Sequence, residues 1–180
     1  MNGSTAPDEI TYDAQEGAAA SLENHWSTYF TEGDVAGIAG FGMNALRIPI
    51  GYWAFNNTGT PFLSGAQDYL DQAIEWARAY GMQVLVDVHG SPGSQNGWDH
   101  SGDVSQIAWQ AGSNTSYLGP NMYQNIQVLQ QVAAKYGSMD YADVVFGIEI
   151  VNEPINWAPN NFSESIYEES SSTMSPEDIC

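Results

Sequence analysis

The 180 residues carry 22 Asp and Glu against 3 Lys and Arg, a formal charge of −19. So acidic a surface excludes nucleic acid, whose binding needs a basic footprint to displace counterions, and disfavours anionic membranes; a neutral ligand fits best. Disorder, the usual companion of high charge, is excluded by a 43% hydrophobic content with 6 Trp and 10 Tyr.

The N-terminus, Met1-Asn2-Gly3-Ser4, has neither the basic nor the apolar region of a signal peptide. No apolar run approaches the roughly 18 residues of a membrane span, so no membrane insertion is predicted. Thr31-Glu32-Gly33-Asp34 reads as a capping sequence before Val35, Ile38 and Ala39, with Gly42 able to end that helix. A strand follows at 44–50 (NALRIPI). Ser64 and Gln67 have capping-box spacing, and Leu70, Ala73, Ile74 and Ala77 form an i, i+3, i+4, i+7 stripe that ends at Gly81. The second strand is predicted at 83–89 (QVLVDVH). A third helix places Met122, Ile126, Leu129, Val132 and Ala133 on one face and stops at Gly137, before a strand at 144–151 (VVFGIEIV).

This alternation predicts an α/β fold. The three strand runs are short, β-branched and nearly continuous in apolar residues, which suits a parallel sheet covered on both faces. Cys180 is the sole cysteine, so no intrachain disulfide can form. Sequons stand at Asn2, Asn56, Asn114 and Asn161.

Polar residues interrupt the strands at informative places. Arg47 lies inside the first, where a guanidinium needs a carboxylate partner, with Asp87 and Glu149 as the candidates. His89 ends the second strand and Asn152-Glu153 the third, and in parallel α/β folds those ends share one ligand-binding side. Glu153, leaving a buried strand beside an amide, suits either a general acid kept protonated by partial desolvation or a strand-end cap for the following helix. His89 opens a Gly/Pro-rich loop, residues 90–99, that presents Trp98. An aromatic face there favours a neutral carbohydrate, since sugar rings stack on such faces. His25, His89 and His100 lack metal-ligand spacing, and no phosphate-binding loop occurs, so neither metal nor cofactor is expected.

Four segments carry a family resemblance: HWSTYFTEGD at 25–34, LRIPIGYWAF at 46–55, DVHGSPGSQNGWDHSG at 87–102 and GIEIVNEP at 147–154. Together they resemble the fungal exo-β-1,3-glucanases of glycoside hydrolase family 5, over about residues 8–157. The resemblance implies a (β/α)8 barrel that releases glucose from β-1,3-glucan with retention of configuration, in an extracellular or cell-wall setting. Carried over by position, Glu153 resembles the general acid/base and Asn152 the group that binds the sugar 2-hydroxyl. Arg47 resembles the buried arginine that supports the nucleophile. His89 resembles a subsite histidine, and Trp98 the aromatic that clamps the next glucose.

The family's nucleophilic Glu lies on a late strand, and nothing here matches it or the first barrel strand. Retaining hydrolysis needs carboxyl groups about 5–5.5 Å apart. Glu149, four residues from Glu153 on an extended strand, would stand about 13 Å away. The expectation is a partial (β/α)8 TIM barrel over residues 1–157, holding barrel strands 2 to 4, followed by a disordered acidic tail at 158–180. Such a chain would keep the acid/base half of the site and be inactive alone. The alternatives are a non-catalytic glucan-binding fragment and a β-1,4-glucanase specificity on the same barrel.

Overall fold

The computed structural model describes residues 4–114 and 116–155. The tail expected at 158–180 lies outside the described residues. Three parallel strands, β1 (Ala45–Gly51), β2 (Gln83–Gly90) and β3 (Val145–Glu149), pair in chain order. Parallel neighbours need a crossover. Helices α4 (Ala66–Ala79) and α5 (Pro120–Tyr136) supply the two crossovers, while α1 (Glu9–Asp13), α2 (Ala18–Tyr29) and α3 (Glu32–Gly40) precede the sheet. None of the described helices is long and apolar enough to cross a membrane.

Side-chain alternation explains how the sheet divides its work. Ile50 of β1 and Val84, Val86 and Val88 of β2 pack with Val35 of α3, Leu70, Ile74 and Ala77 of α4, and Val128, Leu129 and Val132 of α5 in one core. Burying each such aliphatic side chain contributes about 1.5–3 kcal/mol. The intervening positions, Arg47, Leu85, Asp87, His89, Gly147 and Glu149, fall on the other face. There Arg47 side chains stay 43% exposed and Glu149 30%.

Several expectations need correction. The sheet is covered on one face rather than both, because the helices of the described residues pack on the same side. Arg47 is therefore not buried. Ser64 does not cap α4: Gly65 takes that place at φ +135°, and a Cβ there would come within 2.7 Å of the Trp26 ring. Close approach of an aromatic ring, which only glycine permits, overrides the capping-box signal. β3 stops at Glu149, two residues short of its expected end, because its pairing with β2 runs out at Asp87–Glu149. Thr31 behaves as expected at the start of α3, its N–H donating to Asp34 Oδ2 at 2.8 Å.

Candidate active site

The open face of the sheet concentrates charge. Arg47 Nε donates to Glu149 Oε2 at 2.7 Å and its Nη2 to Glu149 Oε1 at 3.0 Å, a two-pronged pair whose geometry only a guanidinium supplies. The same Nη2 lies 2.8 Å from Asn152 Oδ1 and 3.0 Å from Asp87 Oδ2. Both candidate partners of Arg47 are thus engaged at once. The hydrogen bond to Glu149, reinforced by the Asp87 charge, holds the guanidinium above its ordinary pKa. Asp87 is fully buried, and its other oxygen, Oδ1, has no partner among the described residues.

Asp87 also fixes a tautomer. His89 Nδ1 lies 2.6 Å from Asp87 Oδ2, so it must carry the proton that it donates to a carboxylate. In the neutral ring Nε2 then presents its lone pair to Asn152 Nδ2 at 3.4 Å. Because Asn152 Oδ1 accepts from Arg47, its amide nitrogen must be the group facing the imidazoles. It also lies 3.5 Å from His100 Nδ1, and His100 Nε2 in turn lies 3.5 Å from Glu153 Oε2. A run of polar contacts therefore extends from Asp87 through His89 and Asn152 to His100, which stands beside Glu153.

Glu153 sits past the end of β3 and adopts φ +46°. A non-glycine residue in the left-handed region costs about 1–2 kcal/mol and persists only where its surroundings impose it. Asn96 Nδ2 donates to the Glu153 carbonyl at 3.3 Å, and Ile155 N–H donates to the Gln95 carbonyl at 3.0 Å. Gln95, itself fully buried, ties the strand ends together. Its Nε2 donates to the carbonyls of His89 at 2.6 Å and Asn152 at 3.1 Å, and its Oε1 accepts from Ser91 N–H at 2.9 Å. The loop after β2 is thereby fastened to the segment that carries Glu153.

The side chain of Glu153 is 61% exposed, so the partial desolvation expected for it is absent from the described residues. The left-handed backbone turns it away from the strand and toward solvent. Trp98 is half exposed and meets His100 edge-on, ring centroids 5.4 Å apart. A cleft of about 470 Å³ opens beside this cluster, walled by Glu9, Trp53, His89, Asp99 and His100. Among the described residues no three His, Cys, Asp or Glu side chains converge on a metal position.

The structure brings together Arg47, His89, Asn152 and Glu153, and places Trp98 one ring away from them through His100. Sequence reading missed Asp87 as the hub, Gln95 as the tie and His100 as the link to Glu153. Asp87 carried a signal, a carboxylate within the apolar run of β2, and was already a candidate partner of Arg47. His100 carried none, since its partner is 53 positions distant.

The profile described as cellulase (glycosyl hydrolase family 5) matches residues 10–169. The glucan 1,3-beta-glucosidase of Pichia angusta is 48% identical over 142 residues, covering 78% of this chain and 31% of that one. That of Blumeria graminis is 46% identical over 167 residues, covering 91% and 37% respectively. The chain thus spans about a third of the length of the curated relatives it matches. Among solved structures, rutinosidase from Aspergillus niger superposes with a TM-score of 0.74 at 22% identity, covering 97% of this chain and 47% of that one. The protein called AoRut gives 0.79 at 25% identity, with 97% and 52% covered. These likenesses place the three-stranded α/β sheet within the fold of glycoside hydrolases. On a profile that spans most of its residues, the chain belongs to glycosyl hydrolase family 5.

Proposed function

We propose that these residues form the acid/base half of a retaining exo-β-1,3-glucanase site, built on strands 2 to 4 of a (β/α)8 barrel. In this reading Glu153 protonates the departing glycosidic oxygen and later takes a proton from water. Asn152, oriented by Arg47 and facing His89 and His100, offers its amide to a sugar hydroxyl. Trp98 stacks on the neighbouring glucose. The carrying observation is that Glu153, 3.5 Å from His100, keeps its carboxyl largely exposed beside the cluster while Glu149 and Asp87 are held by Arg47 and His89.

Glu149 is not assigned as nucleophile: four residues from Glu153 along an extended strand, it would stand about 13 Å away, against the roughly 5–5.5 Å that retention requires. The nucleophile is assigned to a later barrel strand, and the 180-residue chain is inactive on its own. The lineage is extracellular or cell-wall. Binding decides the substrate: laminarin oligosaccharides titrated into the chain bind saturably, while cello-oligosaccharides of equal length bind at least several-fold more weakly. The reverse preference would assign a β-1,4 specificity, and absence of binding to either would overturn the glucan reading.

A further inference from the structure

Helix α1 has only five residues, yet this segment is tied to Trp53, Leu63, Gly102 and Val104. Asp8, its N-cap, accepts from Thr11 N–H at 3.0 Å through Oδ1 and from Val104 N–H at 2.8 Å through Oδ2. Ile10 N–H donates to the Gly102 carbonyl at 3.0 Å. Asp13 Oδ2 accepts from Leu63 N–H at 2.8 Å. Glu9 Oε1 accepts from Trp53 Nε1–H at 3.0 Å.

Trp53 is where these ties meet the site. It is buried, stacked on Phe62 with ring centroids 4.0 Å apart and planes within 5°. A Cβ added at Gly51, Gly90 or Gly102 would lie 2.2, 2.6 or 2.3 Å from its indole, so all three positions must be glycine. Gly51 ends the strand that carries Arg47, Gly90 ends the strand that carries His89, and Gly102 follows the Asp99–Ser101 turn that carries His100. One indole therefore sets the spacing of three of the segments that deliver the site, and Glu9 is the polar partner of that indole.

We propose that the Asp8–Asp13 segment is a positioning strap for the glucan cleft, with Glu9 as the residue that, through Trp53 and the Asp99–Val104 turn, sets His100 against Glu153. The inference rests on the glucanase reading for its functional consequence but not for its geometry. Glu9 and Asp8 are separated from Glu153 by the whole sheet in sequence, and among the described residues no hydrogen bond joins α1 directly to Glu153. The strap acts through Trp53 and the Asp99–Val104 turn.

The test compares Glu9→Ala with Glu9→Gln in the full 180-residue chain, with Trp53→Phe as a second way to delete the Glu9–Trp53 bond while keeping the stack on Phe62. The His100 imidazole resonance, identified by its loss in His100→Asn, reports the geometry, with His25 as an internal control. Laminaritriose affinity reports the consequence. Glu9→Ala and Trp53→Phe are expected to displace the His100 resonance, leave that of His25 in place and weaken laminaritriose about tenfold, the loss of one buried hydrogen bond. Glu9→Gln, which keeps the acceptor, should remain within about twofold of the parent. Unchanged His100 resonances in Glu9→Ala and Trp53→Phe would overturn the strap, as would a Glu9→Gln variant as impaired as Glu9→Ala. If the parent itself fails to bind laminaritriose, the glucanase reading falls, and the His100 resonance still decides the strap.

Discussion

Replacing Arg47 with Met keeps the aliphatic stem and removes the guanidinium that joins Glu149, Asp87 and Asn152. The energetic consequence centres on Asp87, which is fully buried and accepts from Arg47 at 3.0 Å and from His89 at 2.6 Å, with Oδ1 unpartnered. Stranding a buried charge by removing its partner costs about 3–5 kcal/mol. The Arg47 side chain is 43% exposed, so water already screens part of its attraction, and the loss belongs at or below the lower end, about 2–3 kcal/mol. Glu149, 30% exposed, can be rehydrated and adds little. Asp87→Asn in the Arg47→Met background removes the stranded charge at nearly constant volume and should return about 1–2 kcal/mol. Urea unfolding of the four proteins measures both quantities, provided that the slope with denaturant is common to all. A loss below about 0.5 kcal/mol in Arg47→Met, or no recovery in the double variant, would show that Asp87 is not the hub of the cluster.

Further outcomes follow from individual contacts. Burial, with Asp13 nearby, raises Glu9 to about 7 against an ordinary value of 4.5, so the folded chain holds this proton more tightly than the unfolded one. Its contribution is complete below about pH 4.5 and is lost as pH rises through about 7, a change on the order of 3 kcal/mol. Denaturant midpoints of the parent should therefore fall across that window, and Glu9→Gln should flatten the profile; a parallel decline in both proteins would refute the assignment. Trp98→Ala, at a half-exposed side chain, should weaken laminarin binding while changing stability by less than about 0.5 kcal/mol. Ile74→Ala, inside the α4 stripe at 0% exposure, should cost about 2–4 kcal/mol by thermal or urea unfolding.

The elements legible in the sequence are those whose burial is periodic. The α4 stripe of Leu70, Ala73, Ile74 and Ala77 is buried as its spacing requires, and the α5 face behaves likewise. β1 and β2 begin and end within a residue of the apolar runs that encode them. β3 shows the limit of that signal: Ile150 and Val151 continue the apolar run, but pairing with β2 ends at Glu149, and neither residue's type records a missing neighbour. α1 and α2 escaped for another reason. α1 is held by hydrogen bonds to Gly102, Val104 and Leu63 rather than by its own periodicity, and α2 buries only Ala18 and Leu22.

The candidate site divides the same way. Arg47, His89, Asn152 and Glu153 were legible because polar residues at the ends of apolar strands are costly without a purpose. What the sequence could not express was which carboxylate Arg47 would choose, and the fold answers with both. Nor could it express exposure. Arg47 and Glu153 read as buried from their apolar neighbours, whereas the face that they share carries no covering layer among the described residues. His100 and Gln95 became visible only when folding brought residues more than 50 positions apart into contact.

Glucose release from laminarin by the purified 180-residue chain, measured beside Glu153→Gln, tests the half-site account most directly. Both proteins are expected to release glucose at the same background rate, because the nucleophile, the carboxylate that must stand about 5–5.5 Å from the acid for a glycosyl intermediate to form, is assigned to a barrel strand after β3. Sustained release by the parent that disappears in Glu153→Gln would contradict it, and would mean that these 180 residues already hold a complete catalytic pair.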